Sequence, residues 1–300
     1  MAFGIQEFER HLLDCDARAQ ALGGDFYRAW RRLTEQELTE LFFAACRETE
    51  TASLIECGAH RAEASVRFAE EDPDRAALAF EANPHTFRKH TILAASPQVT
   101  PVNEGVGAEP AVLCLRIPDK HGTGSRTSTM ASFLPEKQSR AYSTAEVPVT
   151  TVDLAVEKFS MSPPFALWID VEGYGAEVLA GAAASLNEDV AVVLIEASNG
   201  SKWVGETAAD GIIELLRSHG LREVARDCSK SNNSQFNLLF VREEAPWLEQ
   251  EIERFFRRIE RPIARSVYQR LFTVHAQLRK RNNGLRRRVS RSIRDFRKGR

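Results

Sequence analysis

What the chain lacks narrows its chemistry first. Its five cysteines, Cys15, Cys46, Cys57, Cys114 and Cys228, are odd in number, scattered and never in C-x-x-C spacing. That pattern argues against a disulfide framework and against a cysteine-built zinc site. The seven histidines contain no H-E-x-x-H or H-x-x-x-H pair, so reduced thiols and no metal are expected. No window approaches the run of about 20 apolar residues that spans a membrane. The first ten residues have neither the cationic start nor the apolar stretch of a signal peptide, and a cytoplasmic protein is expected. Also missing is a second glycine behind Gly58, which is followed by Ala59-His60-Arg61-Ala62-Glu63. A pyrophosphate needs the G-x-G-x-x-G turn to approach the backbone, so a dinucleotide oxidoreductase is disfavoured.

What is present is enough for one sizeable core with appendages: 300 residues, 43% of them hydrophobic. The overall charge of −2 is unevenly divided. Residues 279–300 hold eleven Arg or Lys against Asp295, a local +10, which leaves −12 on the other 278 residues. An acidic body with a basic tail meets anionic surfaces through the tail. In the tail Leu285, Val289, Ile293 and Phe296 make an apolar stripe among arginines. That suits a helix lying on an anionic membrane at its inner face, and it equally suits a solvated tail. Nucleic acid is the weaker partner, because only one aromatic interleaves the charges.

Three regions follow: a helical extension over 1–48, a catalytic domain over 49–245 and a C-terminal helix with the basic tail over 246–300. In the first, Phe8, Leu12, Leu13, Leu38, Leu41, Phe42 and Ala45 recur at helical spacing, and Gly23-Gly24 separates two helices that cap or edge the sheet. Strands are expected at 53–57, 77–81, 99–104, 111–117, 165–169, 190–196, 221–226 and 235–241, alternating with helices at 63–70, 85–91, 174–186 and 208–219. That alternation predicts a doubly wound α/β sheet. Residues 118–147 are rich in Ser, Thr, Gly and charge and read as a long loop, either a lid over the acceptor pocket or a disordered segment. Asn199-Gly200-Ser201-Lys202-Trp203 is a second candidate for the acceptor wall. In the last region Leu248, Ile252, Phe255, Ile259, Ile263, Val267, Leu271, Val274 and Leu278 define a long amphipathic helix, with a kink expected at Pro262, packed on the enzyme or on a second copy in a homodimer.

The chemistry concentrates at strand ends. Leu54-Ile55-Glu56-Cys57-Gly58-Ala59 reads as a buried strand breaking into a tight turn, and Ala77-Leu78-Ala79-Phe80-Glu81 as a second strand ending in an acid. Glu56 and Glu81 lie 25 positions apart, near the interval of about 20 between a glycine turn and the acid that holds a ribose. A nucleoside ligand with a zwitterionic amino-acid end suits such a turn, and so does no ligand at all, since a lone glycine after a strand is commonly just a turn. The rest of the chain decides. Trp168-Ile169-Asp170-Val171-Glu172-Gly173-Tyr174-Gly175 runs an apolar strand into two acids. Together with Ile55-Glu56-Cys57-Gly58-Ala59-His60, Phe80-Glu81-Ala82-Asn83-Pro84, Gly122-Thr123-Gly124-Ser125 and Val149-Thr150-Thr151-Val152-Asp153, it resembles the FkbM family of methyltransferases over about residues 50–245.

That resemblance implies a Rossmann-like class I methyltransferase sheet with its last strand inserted antiparallel near one edge, and S-adenosylmethionine as cofactor. It implies O-methylation of a sugar, glycan or glycolipid hydroxyl, or of a natural-product alcohol. Glu56, Gly58 and His60 are assigned to the methionine end, with backbone N–H groups of the turn at its carboxylate and Ser65 as a further contact. Glu81 is assigned to the ribose and Asn83 to the adenosine side. Asp170 is the first candidate to position the acceptor or act as base, with a place in the cofactor site as well, and Glu172 is next. His60, or His121 on the loop, would share the proton, while capping of the following helix is the plain alternative for both acids. The chain departs from the family pattern at Glu56 (usually Asp), His60 (usually Asn), Ala62 (usually Gly) and Gly175 (usually an acid). A degenerate fold kept as a binding module without turnover is the alternative reading.

Overall fold

The computed structural model describes residues 5–118, 130–137, 141–200, 202–228, 235–242 and 247–267. In chain order the elements are α1 (Ile5–Gln20), α2 (Gly24–Glu48), β1 (Ser53–Cys57), α3 (Glu63–Glu70), β2 (Ala76–Phe80), α4 (Pro84–Lys89), β3 (Val99–Val102), β4 (Gly105–Val106) and β5 (Ala111–Pro118). There follow β6 (Tyr142–Thr150), α5 (Val152–Lys158), β7 (Phe165–Ile169), α6 (Gly175–Ala180), α7 (Ala183–Glu188), β8 (Val190–Ser198), α8 (Ala209–Ser218), β9 (Arg222–Arg226) and β10 (Gln235–Val241). A final helix, α9, covers 247–267 and continues through Pro262 without a break. The basic tail, with Leu285 to Phe296, and the His121–Ser125 stretch lie outside the described residues.

Seven strands form the main sheet in the order β3-β2-β1-β7-β8-β10-β9. All neighbours are parallel except β10, which runs antiparallel to both β8 and β9. Strand alternation divides the apolar residues between two layers. Leu54, Ala77, Ala79, Ala166, Val192, Leu194 and Leu239 face a core shared with α1, α2, α3 and α9. Ile55, Cys57, Leu78, Phe80, Leu167, Ile169, Val193 and Leu238 face α5 to α8. The central strands are therefore apolar on both faces, as a doubly wound sheet requires.

The helical ends of the chain join this core. Phe8 packs on Phe255 and Phe256, with ring centroids 5.4 and 4.9 Å apart, and the Trp30 indole donates to the Ile259 carbonyl at 2.8 Å. α1 touches the edge strand β9, while α2 lies across β8 and β10, so the helices cover a face of the sheet as well as its edge. No helix among the described residues is long and apolar enough to cross a membrane.

Three expectations change. The 111–117 strand belongs to a separate three-stranded sheet of order β4-β6-β5. Residues 142–147, expected as loop, form part of β6, paired antiparallel with β5 from Ala111↔Val149 to Pro118↔Tyr142. Alternating exposure along β6 puts Tyr142, Thr144, Glu146 and Pro148 on a solvated face, and this polar half hides the strand in the sequence. The 174–186 helix is two helices, interrupted at Gly181, where a Cβ would lie 2.0 Å from the Gly107 carbonyl oxygen.

Candidate active site

The carboxyl ends of β1, β2 and β7 open onto a cavity of about 490 Å³, within the range of small-molecule sites. Glu56, Gly58, His60, Glu81, Asp170 and Glu172 all line it. Parallel pairing brings them together: Glu56 sits opposite Ala79 on one side and Trp168 on the other, so the chain's three acid-bearing strand ends finish side by side.

Gly58 makes the approach of β1 and β7 possible. The Asp170 N–H donates to the Cys57 carbonyl at 2.9 Å, and Gly58 has φ +88. A Cβ there would stand 2.0 Å from the Asp170 carbonyl oxygen. The turn continues through two non-glycine residues with left-handed backbone, His60 (φ 45) and Ala62 (φ 56). Asparagine and glycine, which the family pattern has at these places, suit that conformation better.

Glu56 is buried and accepts from the Ser65 N–H at 2.9 Å and the Ser65 hydroxyl at 2.5 Å. Glu81, also buried, accepts from the N–H of His60 at 2.9 Å and of Asn83 at 2.7 Å, one on each oxygen. A carboxylate offers about four lone-pair sites, which leaves Glu81 two for a ligand. Burial pushes both carboxyls up to about 7; their hydrogen bonds oppose this, and the nearby Asp170 charge adds to it. Two buried carboxyls raised further by a third acid beside them suit a ligand carrying positive charge.

Other expected site residues act at one remove. Ser65 is fully buried, its hydroxyl on Glu56, and Asn83 caps α4 by accepting from the His85 and Thr86 N–H groups at 3.0 and 3.5 Å; neither lines the cavity. The N–H groups of Gly58 and Ala59 donate to the Phe80 carbonyl, His60 N–H to Glu81 and Ala62 N–H to the Ala59 carbonyl. Those four amides are therefore committed, three of them to the end of the neighbouring strand β2, and the cation nearest to hand for a ligand carboxylate is Arg61, which lines the cavity. The His60 ring lies 5.2 Å from that of His90. The Glu172 carboxylate is paired with Lys202 and accepts from Gln235 at 3.3 Å, an anchored ion rather than an available base. Trp203 is buried against Gly173, and neither it nor Lys202 lines the cavity, so residues 199–203 do not supply the expected wall. Gly175 packs on Ile195, 3.0 Å from where a Cβ would sit, which leaves little room for the acid of the family pattern.

Sequence reasoning missed the cavity's far walls. Glu35, Thr39 and Phe43, four apart along one face of α2, form one of them, and Arg67 closes over the Phe43 ring at 4.0 Å while gripping Glu40 at 2.7 and 2.8 Å. Strand β5 and the segment between β5 and β6 supply Leu115, Ser132 and Phe133. That segment falls within the expected lid, and the Ser132 hydroxyl donates to the Glu172 carbonyl at 2.6 Å. The helical spacing in α2 was a signal for a buried face only, since nothing local says that part of that face meets a cavity.

The profile of the methyltransferase FkbM domain matches residues 56–223, a span that runs from Glu56 past Glu172. No curated protein matches the chain. Among solved structures it is similar to a precorrin-6y C5,15-methyltransferase from Geobacter metallireducens GS-15, with 13% identity and a TM-score of 0.36 over 69% of this chain and 88% of that one. It is also similar to a magnesium protoporphyrin IX methyltransferase from Synechocystis PCC 6803 with bound SAM, with 10% identity and a TM-score of 0.39 over 71% of this chain and 81% of that one. The strand order, not these distant overlaps, defines the fold.

Proposed function

Because the chain belongs to the FkbM family of methyltransferases, we propose that it is an S-adenosylmethionine-dependent O-methyltransferase acting on a hydroxyl of a sugar, glycan or glycolipid. The observation that carries this reading is the convergence of Glu56, Glu81 and Asp170 on one cavity beside a turn that only glycine fits. The residues suit the cofactor: Glu56 for its ammonium, Arg61 for its carboxylate and Glu81 for its ribose hydroxyls. When bound, S-adenosylmethionine supplies an electrophilic methyl group on a cationic sulfonium. The chain's task is then to hold an acceptor hydroxyl in line, exclude water and remove a proton. Asp170 is exposed at the cavity's edge, at the carboxyl end of β7, whereas Glu56, Glu81 and Glu172 are buried. It takes the hydroxyl proton as the oxygen attacks.

Two binding experiments test the cofactor assignments with S-adenosylhomocysteine. Glu81→Ala should weaken calorimetric binding by about 1.5–3 kcal/mol, the scale of hydrogen bonds to a charged group; an unaltered affinity refutes the ribose role. Acidification acts through Glu56. With its carboxyl at about 7, it is mostly ionised at pH 8 and mostly protonated at pH 6, so affinity should drop about tenfold between the two.

The ligand-free protein responds in the opposite sense. A carboxyl raised by folding stabilises fully below its unfolded value near 4.5 and loses that contribution as pH climbs through about 7. Thermal stability should therefore decline over the window in which affinity grows, and Glu56→Gln should flatten the affinity change. Equal affinities at pH 6 and 8 contradict the assignment. The acceptor is identified by mass spectrometry of glycans from cells with and without the protein. A methyl increment that does not depend on the protein removes the glycan reading.

A further inference from the structure

We propose that His11, Cys15 and Glu260 form a binding site for a zinc-class divalent cation, a staple joining α1 to α9 far along the chain from the methyltransferase motifs. His11 and Cys15 are four residues apart on α1 and so share a face. Glu260 of α9 meets both: its Oε1 is 3.1 Å from His11 Nε2 and 3.8 Å from Cys15 Sγ. The three ligand atoms lie within 4.8 Å of one another.

Tetrahedral zinc binds sulfur at about 2.3 Å and nitrogen or oxygen at about 2.0–2.2 Å, which separates neighbouring donor atoms by about 3.3–3.5 Å. The two spacings to Glu260, 3.1 and 3.8 Å, bracket that range, and His11 and Cys15 lie within 4.8 Å of each other, so side-chain rotation is enough to close the set. One imidazole, one thiolate and one carboxylate favour zinc over magnesium or calcium, which prefer all-oxygen shells.

The surroundings support the triad. The Phe256 ring meets the His11 ring edge-on at 4.2 Å and fixes its direction. Arg18, bonded to Asp14 at 3.2 Å, stands 3.6 Å from the same Glu260 oxygen; a bound cation requires this guanidinium to stay on its Asp14 partner. Cys15 is fully buried, whereas the His11 and Glu260 side chains are 41% and 34% exposed, which gives an entry path and room for water as fourth ligand. Metal entry displaces the Cys15 thiol proton to solvent, and the cation's two charges offset thiolate and carboxylate. None of the three residues lines the large cavity, so the role is to secure the helices. Local spacing could not reveal the site, because Glu260 is 245 positions beyond Cys15.

The test is titration of the chelator-treated full chain with cobalt(II), followed by zinc(II). The proposal expects one cobalt per chain with a near-ultraviolet thiolate-to-cobalt band, its loss on zinc addition, and a higher Tm with zinc. Cys15→Ala and His11→Gln should each weaken binding by at least about tenfold, while Cys114→Ala, at an exposed cysteine, leaves it unchanged. His11→Gln alters a half-exposed residue and serves if Cys15→Ala fails to fold. Absence of the thiolate band, or undiminished cobalt binding by His11→Gln, overturns the proposal.

Discussion

Asp170→Asn should lower methyl transfer by about 10²–10⁴-fold, the usual contribution of a positioned general base, while S-adenosylhomocysteine affinity stays within a few fold. The split follows from how the acids are held. Glu56 is occupied by Ser65, Glu81 by the His60 and Asn83 amides, and Glu172 by Lys202 and Gln235. These three are buried and can fix a ligand or a neighbour, whereas Asp170 is the exposed acid of the cavity, where an acceptor hydroxyl enters. Asp170 lies at the rim, on the same β1–β7 junction, and its charge raises both Glu56 and Glu81. Removing that charge should also lower both carboxyls, so the pH at which affinity is half-lost should move down in the variant. The readout is transfer of labelled methyl from S-adenosylmethionine into an extract of cells lacking the protein, alongside calorimetry. Full transfer by Asp170→Asn would make the acid structural. A wild-type protein that binds S-adenosylhomocysteine and transfers nothing would be a binding module.

Gly58→Ala should cost about 3 kcal/mol or more and abolish cofactor binding. Two penalties add. An alanine in the left-handed region costs about 1–2 kcal/mol, and the new methyl would lie 2.0 Å from the Asp170 oxygen and 2.8 Å from its carbon. These are backbone atoms of a paired strand, so relief requires β1 and β7 to separate at the cavity floor. Chemical denaturation measures the first effect and calorimetry the second. A variant as stable as the wild type, with normal binding, would show that the glycine turn is not constrained as described.

Much of this was legible in the sequence because parallel strands buried on both faces are short apolar runs with acids and glycines at their ends. Glu56, Glu81 and Asp170 each follow such a run, and the resemblance supplied the ligand that relates them. The polar β6 was hidden because one of its faces is solvated, and its partner β5 was consequently assigned to the wrong sheet. The α2 wall, with Glu35, Thr39 and Phe43, was hidden for a different reason: its residues meet the strand ends only through tertiary packing. The same holds for the roles of Ser65 and Asn83. Sequence proximity placed them near the ligand, whereas their hydrogen bonds go to Glu56 and to the amides of α4. The committed amides of the Gly58 turn were equally beyond reach, since the Phe80 carbonyl that accepts two of them comes from the neighbouring strand.

A crystal structure grown with S-adenosylhomocysteine tests the central claim most directly. The account predicts the ligand in the cavity at the ends of β1, β2 and β7, with its ribose hydroxyls on Glu81 and its amino group on Glu56. Ligand bound elsewhere, or in the cavity with its ribose away from Glu81, would contradict it.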